Sequence, residues 1–230
     1  MLRKCTSEIL GTFALVFTGT AAIVVNDLYG GHVTHVGISL TFGLIVMAIV
    51  YSLGDVSGAH INPAVTVAFS IAGRFPLMCV LPYIVAQCLG ALAASTLLAA
   101  MFPDHGTLGA TLPAGEVTQT FILEVVLTFI LMFVILNVST GAKEKGIMAG
   151  AAIGAAVALE ALCGGPVSGA SMNPARSLGP AVASNHLEHQ WLYWAAPILG
   201  ATLAVPASAF IRGGSEAEAT PTDAPAAETA

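Results

Sequence analysis

Six long apolar runs constrain the fold of this chain more than any other feature. A hydrocarbon core about 30 Å thick requires roughly 20 apolar residues per helix. Only 9% of the residues are charged, whereas soluble domains carry roughly 25%. Because the runs show no in/out alternation of the kind found in barrel strands, we expect an all-α membrane protein. The six runs are residues 6–26, 35–53, 80–102, 118–138, 147–165 and 191–212.

One segment of the sequence occurs twice. Residues 57–64, SGAHINPA, recur 111 residues later as residues 168–175, SGASMNPA. Upstream, Glu8 precedes the first copy and Glu124 the second by about fifty residues. Three apolar runs separate the copies, so the second copy is upside down in the bilayer, an arrangement that builds channels and transporters. We expect the inverted repeats to span about residues 5–102 and 117–212, within one membrane domain of residues 1–212.

Each copy of the motif begins a stretch that is too short to cross a membrane. Residues 62–73 and 173–184 would be roughly 18 Å long as helices. Proline suits the first helical position and the preceding asparagine suits the N-cap, so both half-helices should begin at the motif, near the bilayer centre. The upstream stretches 54–61 and 164–172 contain several Gly and Ser residues and predict irregular backbone. Such backbone is tolerated at membrane depth only where it lines a cavity or is buried in protein.

The basic residues indicate an orientation. If the six runs cross the membrane in turn, six of the seven basic residues fall on the same side of it. The loops on the other side, 27–34, 103–117 and 184–190, contain no Lys or Arg. The side with the basic residues should be cytoplasmic, with both termini inside a plasma (bacterial inner) membrane. The tail, residues 213–230, has little to bury and is expected to be disordered and cytoplasmic. The six residues are Arg3, Lys4, Arg74, Lys143, Lys145 and Arg212.

The doubled motif, with Arg176 directly after the second copy, resembles the aquaporin or major intrinsic protein family over residues 5–212. The run GPVSGASMNPARSLGPA at 165–181 most resembles plant nodulin-like intrinsic proteins and their bacterial relatives. The resemblance implies a passive channel for water and small uncharged solutes such as glycerol. It also implies a homotetramer in membrane lipid with a pore in each subunit. The motif residues that it places at the pore are Asn62, Pro63, Ala64, Asn173, Pro174 and Ala175.

Two facing half-helices would make the middle of a pore electropositive. Each helix N-terminus carries about half an elementary charge, which repels cations. The side-chain amides of Asn62 and Asn173 can donate to a water oxygen and turn its hydrogens outward, which opposes a proton wire. The alternative is that both asparagines are only helix caps, although capping and pore lining are compatible.

Arg176 is the one basic residue left inside the membrane, where a charge is costly and usually functional. We expect it to donate to permeant oxygens and to repel cations; the alternative is a structural cation that satisfies loop carbonyls. By resemblance, Arg176 belongs to the narrowest constriction, on the extracellular side, together with Phe42, Ala161 and Ala170.

The resemblance gives mixed evidence on the solute. Water-selective members of the family place His where Ala161 stands, so a wider gate is expected here. Against this, the family's glycerol channels carry Asp where this chain has Ser177, and Pro-Leu where it has Tyr193 and Trp194. Water permeation is therefore the first expectation, and permeation of small neutral solutes the second.

Three further acids and one histidine need an explanation. Glu8 and Glu124 should accept hydrogen bonds from the irregular backbone before each half-helix; the alternative is a proton or ion relay. Glu160 should point away from the pore axis, unless a local distortion brings it in, and its role is open. His60 directly precedes the first half-helix and either holds the loop or couples permeability to pH.

Two other classes of function remain to be weighed. A secondary transporter of a small neutral solute also uses inverted repeats, but it usually places acids or ion-coordinating carbonyls at its central site. A membrane enzyme needs a nucleophile with a base or a metal cluster, and the six histidines show no ligand spacing. The sequence therefore favours a channel that needs no metal, cofactor or nucleic acid.

Overall fold

The computed structural model describes residues 1–139 and 143–213, and within these the side chains of 143–147 are left out. In this part of the chain, six helices are long and apolar enough to span a membrane, and all regular secondary-structure elements are helices. The predicted all-α membrane fold is confirmed. The helices are α1 (Leu2–Leu28), α2 (Thr34–Ser57), α3 (Pro63–Ile71), α4 (Val80–Met101), α5 (Val117–Val138), α6 (Lys143–Ser168), α7 (Pro174–Ser184) and α8 (Leu192–Ile211). The predicted tail beyond Gly213, and the side chains of Lys143 and Lys145, lie outside the described residues.

The two short helices α3 and α7 begin at the repeated motif. They contain 9 and 11 residues, so each is about 14–16 Å long and cannot cross a bilayer. Pro63 and Pro174 occupy the first helical positions, and the asparagine before each is the N-cap. Local sequence chemistry therefore sets where both half-helices start.

The irregular segments before the half-helices are shorter than the sequence indicated. Helix α2 continues to Ser57 and α6 to Ser168, which leaves only residues 58–62 and 169–173 outside helices. The expectation of irregular backbone from residues 54 and 164 was wrong. Inside a membrane, a helix pairs its backbone N–H and C=O groups with one another, so extra helical turns are favourable there. It ends where Gly58 and Gly169 take positive φ angles of 88° and 80°, which cost glycine little.

The two halves of the chain form equivalent helix pairs. Helix α1 packs on α4, as α5 packs on α8, and the halves join where α2 crosses α6. At that crossing Gly43 faces Gly154, its equivalent 111 residues later. A Cβ atom on either glycine would collide with the backbone carbonyl oxygen of the other. Close approach of the two backbones through small residues is a feature of packed membrane helices.

The outer surface of the bundle is apolar. Large hydrophobic side chains that point outward from the spanning helices are largely exposed, which suits contact with lipid rather than water. Examples, with their exposed fractions, are Leu10 (58%), Leu44 (55%), Leu81 (69%), Ile122 (58%) and Leu159 (66%).

Candidate functional site

The two asparagines of the repeated motif lie at the point where the half-helices meet. The side-chain oxygen of Asn62 accepts from Ala64 N at 2.9 Å, and its amide nitrogen donates to Met172 O at 2.8 Å. In the other half, the oxygen of Asn173 accepts from Ala175 N at 3.0 Å, and its nitrogen donates to Ile61 O at 2.8 Å. Each asparagine is therefore both a cap and a link to the opposite loop. An amide NH₂ group carries two donors, so one N–H of each asparagine is still available.

The loops before the half-helices hold an uncommon backbone conformation. Ala59, Ile61, Ala170 and Met172 all have positive φ angles, between 42° and 53°. Such angles cost a non-glycine residue of order 1–3 kcal/mol each, and they persist only where the surroundings hold them. Something must therefore hold each loop from outside.

Two buried glutamates make the contacts that hold the loops. The Glu8 carboxylate accepts from His60 N at 3.0 Å, Ile61 N at 2.7 Å and the Ser57 hydroxyl at 2.7 Å. A fourth bond to the Glu8 carboxylate comes from Gln87 Nε2 at 2.8 Å. These donors satisfy both oxygens of a side chain that is fully buried.

Glu124 repeats this pattern in the second half. Its carboxylate accepts from Ser171 N at 2.8 Å, Met172 N at 2.8 Å and the Ser168 hydroxyl at 2.7 Å. Its side chain is also fully buried. Each half thus ties one loop to a carboxylate on the first helix of its own repeat.

Two tyrosines, which the sequence reasoning did not identify as loop contacts, complete these links. The hydroxyl of Tyr83 donates to Ser57 O at 2.9 Å, and that of Tyr193 donates to Ser168 O at 2.8 Å. The tyrosines are 110 residues apart, close to the offset of the motif. Extending the repeat comparison into the fourth and last helices would have paired them.

His60 lies in a pocket of aromatic rings. Its ring centroid is 4.8 Å from Phe69, 4.8 Å from Phe75 and 5.2 Å from Tyr83. Its Nδ1 is 3.1 Å from the Thr66 hydroxyl oxygen, which itself donates to Asn62 O. Because the Thr66 proton is used in that bond, Nδ1 of His60 is assigned as the donor.

A cavity of about 910 Å³ runs past both motif asparagines. The lining includes Phe42, Ala161, Ala170 and Arg176, and also Tyr51, Asp55, Arg74 and Ser139. Apolar side chains such as Val46, Val65 and Ile153 line it as well. Residues 58–62 and 170–173 line the cavity as well, and they bring the polar groups of the two loops to it. The structure therefore brings all four predicted constriction residues to a single cavity.

Two contacts fix Arg176 in the lining of this cavity. Its Nη1 donates to Gly109 O at 3.0 Å, and its guanidinium carbon lies 4.8 Å from the Phe42 ring centroid, within cation–π range. In the described part of the chain, no carboxylate forms an ion pair with Arg176. Gly109 lies in the loop between α4 and α5. The sequence did not predict this contact, because every residue has a backbone carbonyl and the residue type does not show which one accepts. The lining of the cavity therefore carries a positive charge that no direct ion pair within the described ranges neutralises.

Glu160 lies apart from these groups. It is 5% exposed, it does not line the cavity, and both carboxyl oxygens lack a hydrogen-bond partner among the described residues. Its neighbour Ala161 does line the cavity. In the same ranges, no cluster of three or more His, Cys, Asp or Glu side chains is placed to hold a metal.

Comparison with known proteins gives the family. The profile of the major intrinsic protein family matches residues 1–207, and the chain therefore belongs to this family. It is 48% identical over 213 residues to the aquaporin NIP1-3 of Oryza sativa subsp. japonica, covering 91% of this chain and 74% of that protein. It is 46% identical over 201 residues to nodulin-26 of Glycine max, covering 87% and 74%. The predicted membership and the predicted likeness to plant nodulin-like proteins are confirmed.

A solved structure shares the fold. The X-ray structure of the aquaglyceroporin from Plasmodium falciparum superposes with a TM-score of 0.78 at 26% sequence identity. The match covers 89% of this chain and 94% of that one.

Proposed function

We propose that this protein is a passive channel that conducts water and small uncharged solutes such as glycerol, and excludes protons and ions. The observation that carries the proposal is the meeting of two half-helix N-termini at one continuous cavity, each with a spare asparagine N–H. Aligned peptide dipoles make both N-termini positive, and the Arg176 cation adds to them. Cations are repelled along this path, while water oxygens find donors.

The hydrogen bonds of the acids support a channel over the alternative, a secondary transporter. Both oxygens of Glu8 and of Glu124 already accept bonds, and neither residue lines the cavity. A proton or ion relay needs carboxylates that the permeating species can reach. We infer that these acids, together with His60, hold the loops, and that Asn62 and Asn173 both cap and line the pore.

The structure also bears on which solutes pass. Ser177, Tyr193 and Trp194, the differences from glycerol channels that point toward water alone, do not line the cavity. Tyr193 instead holds Ser168 O, and the Ser177 hydroxyl bonds Thr111 and Ser171. Ala161 does line the cavity. We therefore give the substitution at position 161 more weight and infer passage of small neutral solutes.

The remaining parts of the proposal concern the setting of the channel. Exposed apolar side chains on the spanning helices, and the position of six of the seven basic residues in segments predicted to lie on one side, support a multi-pass plasma-membrane protein with cytoplasmic termini. A homotetramer with one pore per subunit, two inverted repeats of residues 5–102 and 117–212, and a likeness to bacterial relatives stay predictions from the family resemblance and the duplication.

Osmotic shock of proteoliposomes tests the proposal. We expect vesicles with the purified protein to shrink faster than empty vesicles in a stopped-flow light-scattering assay, with a low activation energy, because water crosses without entering lipid. In isotonic glycerol the same vesicles should swell faster than empty ones. Shrinkage no faster than that of empty vesicles would refute the channel, and glycerol entry at the lipid leak rate would restrict it to water.

A further inference from the structure

Helix α6 contains a proline that leaves one of its carbonyls without a partner in the helix. Pro166 lies inside α6, which continues to Ser168. Proline has no N–H, so the carbonyl four residues earlier, that of Leu162, receives no intrahelical bond. Leu162 directly follows Ala161, which lines the cavity and is one of the four predicted constriction residues.

His35 of helix α2 provides the missing donor. Its Nε2 lies 2.8 Å from Leu162 O. A carbonyl oxygen only accepts, so the hydrogen is assigned to Nε2. The ring fits against Gly165, where a Cβ atom would lie 2.7 Å from Cε1 of His35. The imidazole therefore fills the space beside Gly165, where a side chain is missing, and donates to the Leu162 carbonyl, which Pro166 cannot reach with an N–H.

This bond joins the two helices that carry opposite parts of the constriction. Phe42 is seven residues after His35 in α2, two helical turns further along the same face. The hydrogen bond thus connects the helix that bears Phe42 to the residue next to Ala161. The close contact of Gly43 with Gly154 joins the same helices on the other side of Phe42. The constriction is bracketed by these two contacts.

We propose that His35 is a positioning residue for the constriction, which sets the place of the Ala161 wall by donating to the Leu162 carbonyl. The proposal rests on the channel function proposed above. The alternative is that the bond has only a local role. In that case water can donate to the Leu162 carbonyl equally well, and the position of Ala161 does not depend on His35.

A double-mutant design separates these outcomes. His35→Leu removes the donor, and Pro166→Ala gives the Leu162 carbonyl an N–H from its own helix. The readout is the ratio of glycerol to water permeability in the same proteoliposomes, because the amount of folded protein cancels in that ratio. Val36→Ala, an adjacent exposed position on α2, serves as the matched control.

We expect His35→Leu to raise the ratio of glycerol to water permeability about threefold, a coupling of the size seen between contacting residues. Without the hydrogen bond, the segment that carries Ala161 is held less firmly and can move aside for the larger solute. Pro166→Ala alone, His35→Gln with its side-chain N–H, and Val36→Ala should keep the wild-type ratio. The double variant His35→Leu/Pro166→Ala should return to it. An unchanged ratio in His35→Leu, or a double variant that stays as altered as His35→Leu, would overturn the proposal.

The wild-type measurements keep this inference separate from the proposed function. If wild-type vesicles conduct water and exclude glycerol, the solute part of the proposed function fails. The inference is then still tested by whether glycerol entry appears in His35→Leu and disappears in the double variant. Absence of any water permeability in the wild type would overturn both.

Discussion

Glu124 and Glu160 are buried acids on neighbouring helices, yet their surroundings differ. Glu124 accepts from two backbone N–H groups and a hydroxyl, whereas Glu160 has no hydrogen-bond partner within the described ranges. Duplication of the sequence was enough to select Glu8 and Glu124, because equivalent acids in two repeats point to an equivalent task. It was not enough to select Gln87, which donates to Glu8, or the two tyrosines that donate to the Ser57 and Ser168 carbonyls, because these are ordinary residues for a helix interior.

Replacing each acid by its amide measures this difference. Glu124→Gln places an NH₂ group against a backbone N–H and should lower the free energy of unfolding by about 1–3 kcal/mol. Glu160→Gln loses no hydrogen bond in the described structure and should leave the stability unchanged or raise it. Thermal unfolding of both variants in detergent checks this expectation. Equal shifts of the midpoint would show that the contacts of Glu124 do not hold its loop.

Among the four predicted constriction residues, Ala161 is the one on which the size of the permeating solute should depend. Ala161→His restores the larger polar side chain found in water-selective relatives of the family. We expect glycerol permeability to fall several-fold more than water permeability, since even one methylene changes discrimination about tenfold or more. Leu159→Ala, a lipid-facing change on the same helix, is the control. Equal loss of both permeabilities would place the size limit elsewhere.

Helices α2 and α6 show what local sequence can and cannot specify about an element. The starts of α3 and α7 were predictable because asparagine and proline encode a cap and a first turn. The ends of α2 and α6 were misplaced, since glycine and serine are compatible with both helix and loop. What decides between them is the tertiary bonding of Ser57 and Ser168 to the buried glutamates, and composition does not reveal those bonds.

The crossing of α2 and α6 gives a test at this scale. Gly154→Ala would put a Cβ against the Gly43 carbonyl and Met47, and overpacking of this kind costs about 1–3 kcal/mol. Gly54→Ala, in α2 with open space around its Cβ position, should be neutral or stabilise by about 0.5–1 kcal/mol. Unfolding midpoints of the two variants should therefore move apart. If both move together, the helices do not need their close approach.

At the scale of the whole molecule, the cavity is built by both halves of the chain, since each half contributes one motif asparagine and one loop to it. Two motifs separated by an odd number of spans must face one another, which made the meeting of the half-helices predictable from spacing alone. The position of Gly109 against Arg176 was not predictable, because every residue offers a carbonyl and only the folded loop selects one. The hydrogen bond from His35 to the Leu162 carbonyl could not be predicted for a similar reason, because the two residues are 127 positions apart in the sequence.

The most direct test of the account compares water and proton flux in the same vesicles. Proteoliposomes containing a pH-sensitive dye are exposed first to an osmotic step and then to a pH step. Facing helix N-termini and oriented asparagine donors should pass water well above the rate of empty vesicles, while the dye responds no faster than in empty vesicles. Rapid acidification of the lumen alongside rapid shrinkage would contradict the electropositive centre on which the account depends.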